Sequence, residues 1–135
     1  MKKRKIAIFT GNRAEYGLQL PILNAIKNHP LLEYKLIVSG AHLEKNFGET
    51  ISEIKNDGFI ITEEVNINFK DDTLFGTTQA ISSCINLISR ALKKIKPDIF
   101  VVYADRFEGF GALIAGSQLR IPTAHIEGGD ITEGG

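Results

Sequence analysis

Short runs of β-branched and aromatic residues alternate along this chain with longer stretches whose apolar residues recur every three or four positions. That pattern predicts strands alternating with helices. Lys5–Phe9 is the first apolar run and ends at Thr10-Gly11. The stretch GNRAEYG reads as a loop, and LQLPILNAIKN as a helix with Leu20, Leu23, Ile26 and Lys27 at helical spacing. Pro21 falls inside that helix and removes one backbone donor, so a kink or a late first turn is expected there. His29-Pro30 closes the segment. Tyr34–Val38 is the second strand, followed by Ser39-Gly40-Ala41-His42. Asn46–Asp57 carries helical spacing through Ile51 and Ile54, and Gly58 is a natural stop. Phe59–Ile67 is a third strand with polar residues interleaved, which suits a sheet edge.

Asp71-Asp72-Thr73 opens a long helix reaching to about Lys96. Its stripe includes Leu74, Ala80, Ile81, Cys84, Leu87, Ile88, Ala91, Leu92 and Ile95, and Lys93, Lys94 and Lys96 suit the negative end of its dipole. Pro97-Asp98 breaks it. Ile99–Tyr103 is the most apolar strand, Phe107–Leu119 a Gly- and Ala-rich helix able to approach the sheet closely, and Thr123–Ile126 a second buried strand after Pro122. Near-continuous apolar strands alternating with helices imply an α/β fold, a doubly wound parallel sheet of Rossmann-like type. Right-handed crossovers give the strand order 3-2-1-4-5. Strands one and four are then neighbours with helices on opposite faces, which leaves a ligand crevice at their C-terminal ends. The segments meeting there are Gly11–Tyr16, Ser39–His42, Ala104–Glu108 and Glu127 onward.

Composition narrows the function classes. The 135 residues suffice for one domain with a real core. Sixteen basic and sixteen acidic residues cancel, so a nucleic-acid or anionic-membrane surface has no electrostatic support. The start MKKRKIAIF has an apolar run too short for a secretory signal and reads as a solvated tail before the first strand. No window reaches the length of a membrane span. The single cysteine, Cys84, excludes an internal disulfide, fits a reduced cytoplasm and belongs to a helical apolar stripe, where inert packing is expected.

The chemistry-bearing residues all fall on the crevice segments. Arg13, where the first strand turns into a helix, suits a phosphate or diphosphate. Gly11 is the only glycine before that helix proper, so the G-x-G-x-x-G fingerprint is absent. The second strand ends without an acid to hold a ribose, which argues against a nicotinamide or flavin dinucleotide. There is no Walker A sequence. Asp105 follows the strongest strand and Glu127 the next, and two carboxyls on adjacent strand ends can divide general-base and general-acid work. The alternative is that Asp105 caps the following helix and Glu127 pairs with an arginine. Arg106 and Glu108 in the next helix's first turn read as structural. His125 and Glu127 suggest a shared face but bring no third metal ligand at the needed spacing. His42 either reaches the crevice or caps it, and no serine or cysteine stands in a nucleophile elbow.

TGNRAEYGLQLPIL, VSGAHLEKNFGETISEIKNDGF and YADRFEGFGALIAGSQLRIPTAHIEGGDITEG together resemble the N-terminal domain of the hydrolysing UDP-N-acetylglucosamine 2-epimerases of sialic- and legionaminic-acid-type pathways. The non-hydrolysing branch resembles T-R-P-E after the first strand and H-V-E-A-G-L after the fifth. Here the residues are Asn12-Arg13-Ala14-Glu15 and His125-Ile126-Glu127-Gly128-Gly129-Asp130.

The resemblance implies the N-terminal half of a GT-B fold (the UDP-glycosyltransferase and glycogen phosphorylase type), with the active site between two Rossmann-like halves. It implies anti elimination of UDP from a UDP-2-acetamido sugar, then hydration of the glycal to a free manno-configured sugar such as N-acetylmannosamine, with no cofactor and no metal. It carries catalysis to Asp105 and Glu127 and substrate binding to Arg13, with Gly11, His42 and Asp130 as further substrate-binding candidates. Residues 1–135 are accordingly expected to be an incomplete N-terminal domain lacking the second GT-B domain, and inactive alone. The full-length protein is expected in the cytoplasm and as a homo-oligomer, with a UDP-sugar as its ligand and neither nucleic acid nor membrane as a partner. A GT-B glycosyltransferase and a non-catalytic nucleotide-sugar binding module are the rival readings.

Overall fold

A computed structural model describes residues 2–39, 50–67, 72–103 and 106–129. The elements follow in the order β1 (Arg4–Thr10), α1 (Arg13–Lys27), β2 (Leu32–Ser39), α2 (Thr50–Asn56), β3 (Ile61–Val65), α3 (Leu74–Ile95), β4 (Ile99–Tyr103), α4 (Phe107–Gln118) and β5 (Thr123–Ile126). All four pairings are parallel and the strand order is β3-β2-β1-β4-β5, the doubly wound order expected. Period-2 alternation along β1 sends Ile6 and Ile8 to one core and Ala7 and Phe9 to the other. Leu23, Ile26 and Ile54 complete the first core from α1 and α2. Cys84, Ile88, Leu92 and Ala112 complete the second from α3 and α4. Among the described residues no helix is long and apolar enough to cross a membrane.

Local signals explain most boundaries. Thr73 caps α3 by accepting the Gly76 N–H at 3.0 Å. Gly58, in the left-handed region at φ 86°, ends α2, as its place in the sequence predicts. Two expectations are corrected. The stretch GNRAEYG is not a loop before a helix: α1 already begins at Arg13, because the Asn12 side chain accepts the Glu15 N–H at 3.0 Å and closes the first turn. Pro21 therefore lies inside a continuous helix and not in its first turn. The donor it lacks would have met the Gly17 carbonyl, and both residues face outward where water can solvate that carbonyl. Nor is β5 a buried strand. It pairs with β4 at a sheet edge and leaves Ala124 and His125 exposed.

The glycines of α4 let it press on its neighbours. A Cβ at Gly111 would lie 2.9 Å from the Cys84 side chain, and one at Gly116 only 2.8 Å from Thr123 Oγ1 and 2.9 Å from the Phe100 ring. Phe100 is fully buried and cannot yield without moving the sheet. Gly116→Ala is therefore expected to destabilise the fold by about 1–3 kcal/mol despite the better helix propensity of alanine. Chemical denaturation checks this, and a midpoint at or above that of the natural chain would refute the close approach.

Candidate active site at the β1–β4 switch point

The strand order reverses between β1 and β4, whose helices α1 and α4 leave on opposite faces of the sheet. Two helix N-termini thus converge above the sheet, a setting that favours negative charge and polar ligands. Gly11 is buried there, and a Cβ on it would stand 3.4 Å from Glu15 Oε2 and 3.8 Å from Glu108 Cβ. The first turns of α1 and α4 therefore meet over one glycine.

Among the described residues of this region, the most deeply buried ionisable groups are Glu15 and Glu108. Glu15, the third residue of α1, accepts the Gly11 N–H on Oε2 at 2.8 Å. An asparagine cap followed three residues later by a glutamate is the spacing of a capping box, with the carboxyl reaching one residue further back than usual. Burial pushes its pKa from 4.5 up to about 7, with the Glu108 charge adding to the rise and the Gly11 hydrogen bond opposing it. Arg106 forks onto Glu108: Nη2 donates to Oε1 at 2.9 Å, and Nε lies 3.1 and 3.2 Å from the two carboxylate oxygens. Glu108 is 1% exposed, whereas about half of the Arg106 side chain meets solvent. The hydrogen bonds to Glu108 raise the guanidinium pKa further, so it stays charged. The pair thus has the structural contacts its place in the sequence suggested. Arg106, not Asp105, occupies the N-cap position of α4.

Glu127 follows β5 with φ 60°, a left-handed conformation that costs a non-glycine residue about 1 kcal/mol or more. Its carboxylate is exposed and accepts a hydrogen bond from the Tyr103 hydroxyl at 2.8 Å. Tyr103 ends β4 and pairs with Ile126, so the hydroxyl spans neighbouring strand ends. The glycine pair that follows has a steric reason: a Cβ at Gly128 would sit 2.1 Å from His125 Nδ1, so the turn folds directly over that ring. Among the described residues no three His, Cys, Asp or Glu side chains gather as a metal site.

Arg13 is exposed and forks onto Glu53 of α2, Nε to Oε2 at 3.1 Å and Nη2 to Oε1 at 3.2 Å. Exposed pairs of this kind contribute little and exchange readily with solvent or another anion. Cys84 is buried, its Sγ 3.1 Å from the Glu108 carbonyl, and burial pushes its thiol up to about 12, which leaves it an inert core residue. Asp105, His42 and Asp130 lie outside the described residues. Sequence reasoning passed over Glu15 and Tyr103. The Asn12–Glu15 spacing was the signal for the first, and a polar aromatic ending the strongest strand was the signal for the second.

Comparison with known proteins places this geometry in context. Residues 24–135 match the family model described as UDP-N-acetylglucosamine 2-epimerase. The chain is 34% identical over 129 residues to polysialic acid biosynthesis protein P7 of Escherichia coli, covering 96% of this chain and 33% of that protein. It is 34% identical over 134 residues to the GDP/UDP-N,N'-diacetylbacillosamine 2-epimerase (hydrolyzing) of Campylobacter jejuni, covering 99% and 35%. A solved UDP-GlcNAc 2-epimerase of Neisseria meningitidis, bound to UDP-GlcNAc, superposes with a TM-score of 0.79 at 20% identity, over 97% of this chain and 34% of that one. The chain thus spans about a third of the length of these relatives.

Proposed function

Because the chain belongs to the UDP-N-acetylglucosamine 2-epimerase family, we propose that it is the N-terminal, sugar-handling part of a hydrolysing nucleotide-sugar 2-epimerase. The substrate is a UDP-2-acetamido sugar, and the products are UDP and a free manno-configured sugar such as N-acetylmannosamine. The observation that carries this reading is the register of Tyr103 with Ile126 and the hydrogen bond from Tyr103 to Glu127. It sets one carboxylate at the strand end adjoining the residues that lead to Asp105. The likeness to a relative named as hydrolyzing supports the branch, and the UDP-GlcNAc bound in the Neisseria structure supports the ligand class.

The chemistry follows from the residue types. A carboxylate removes the proton on carbon 2 while the bond from carbon 1 to the diphosphate breaks, and the electron pair closes the double bond of a glycal. Water then adds its oxygen at carbon 1 and a proton returns at carbon 2 on the opposite face. Asp105 and Glu127 divide these proton transfers, each worth about a hundredfold or more. The leaving diphosphate gathers negative charge, which Arg13 meets by exchanging its exposed Glu53 partner for phosphate oxygens. Gly11, His42 and Asp130 are further substrate-binding candidates in this reading. Uridine contacts come from a second domain, and the 135 residues by themselves are inactive.

Product analysis tests the reading. The protein carrying both domains, incubated with UDP-N-acetylglucosamine alone, is expected to release UDP and free N-acetylmannosamine. Accumulation of UDP-N-acetylmannosamine with the nucleotide retained would place the chain in the other branch, and an absolute need for an acceptor would make it a glycosyltransferase.

A further inference from the structure

We infer that Glu15 is a positioning residue of the β1–β4 crevice that works as the neutral acid, holding the Gly11 turn while Arg106 stays committed to Glu108. The inference rests on reading that crevice as the seat of a diphosphate-bearing sugar. Its basis is geometric. Two carboxyls, Glu15 at 5% exposure and Glu108 at 1%, are buried over one glycine. The guanidinium at this junction, Arg106, directs its Nε and Nη2 donors to Glu108. Arg13, on the same helix as Glu15, is turned outward to Glu53. The partners of Glu15 are then the Gly11 N–H and the Asn12 side chain, neutral donors that need only an acceptor oxygen and no charge.

The surroundings of Glu15 act in both directions, and burial is the largest effect. Glu108, across from it at the start of α4, disfavours a second anion, and Arg106 favours one more weakly than burial opposes it. On α3, the Cys84 thiol that backs Glu108 is itself held neutral by burial. The positive end of the α1 dipole favours an anion at Glu15, an effect smaller than the cost of burying a carboxylate beside another. Burial accordingly raises the Glu15 pKa to about 7. Ionisation then draws Arg106 away from Glu108 and adds negative charge under the rim that must accept a diphosphate. Proton uptake by Glu15 and anion binding are therefore coupled, and the coupling is reciprocal. The stability sign follows as well: this group's contribution is complete below about 4.5 and is lost as pH rises through about 7.

The test compares the natural protein with Glu15→Gln, which keeps an acceptor for Gly11 without the charge, over pH 5.5 to 8.5. The natural protein is expected to raise its KM for UDP-N-acetylglucosamine about fivefold or more through neutral pH, with kcat changing less. Its thermal midpoint is expected to fall by about 5 °C or more relative to Glu15→Gln over the same range. Glu15→Gln holds one KM throughout, and Glu15→Ala, which strands the Gly11 N–H, raises KM at every pH. Parallel KM and melting profiles for the natural protein and Glu15→Gln would overturn the inference. So would a carbon-13 titration of the Glu15 carboxyl centred near 4.5. Should the protein turn over no UDP-2-acetamido sugar, the functional reading fails, and the carboxyl titration and the melting comparison decide the role of Glu15.

Discussion

Asp105→Asn, in the protein carrying both domains, is expected to lower turnover of UDP-N-acetylglucosamine by about a hundredfold or more, with KM changed far less. Asparagine keeps the size of the side chain and its capacity to accept a hydrogen bond, and removes only the ability to take or give a proton. A role confined to capping α4 would survive the change, because asparagine caps as well as aspartate. Arg106 occupies the N-cap position of that helix, and its side chain makes no capping hydrogen bond. The variant is thus expected to fold normally and to bind UDP while failing to release it from the sugar. Turnover within about tenfold of the natural protein would remove Asp105 from the proton transfers.

Arg106→Ala is expected to cost about 2–4 kcal/mol of stability at neutral pH, or about 10 °C in thermal midpoint. The reason lies on the partner, since Glu108 is buried and Arg106 satisfies both of its oxygens. Removing the guanidinium leaves a desolvated carboxylate near Glu15 without its charged partner. The figure sits below that for a fully buried pair because half of the Arg106 side chain is in solvent. Adding Glu108→Gln to Arg106→Ala removes the stranded charge, and the double variant is expected to recover most of the loss. If the double variant is as unstable as the two single losses summed, the fork is not what the carboxylate depends on.

The architecture was legible because apolar periodicity and strand handedness leave few alternatives. Runs such as Ile99–Tyr103 form a strand on either reading of their neighbours, and right-handed parallel connections make 3-2-1-4-5 one of a few possible orders. Boundaries were harder. GNRAEYG reads as a loop because its glycines and polar residues mask the Asn12 cap, a side-chain-to-backbone bond that periodicity does not register. The exposure of β5 escaped although the 3-2-1-4-5 order already sets it at an edge: a run as short as Thr123–Ile126 does not show by itself which of its residues meet solvent. Glu127 was visible because it directly follows an apolar strand. The Tyr103 hydroxyl that holds it comes from 24 residues away, and only the sheet register brings the two together. Glu15 was hidden most thoroughly, as its significance depends on burial near Glu108, which the fold brings to the same glycine from the other side of the switch point.

The most direct measurement runs the reaction with UDP-N-acetylglucosamine in deuterium oxide and reads carbon 2 of the released sugar by NMR. Elimination followed by hydration predicts free N-acetylmannosamine with deuterium at carbon 2 in every molecule, because the proton taken from the substrate is replaced from solvent. A released sugar that keeps protium at carbon 2, with its gluco configuration intact, would mean that no carbon–hydrogen bond is broken here and would contradict the account.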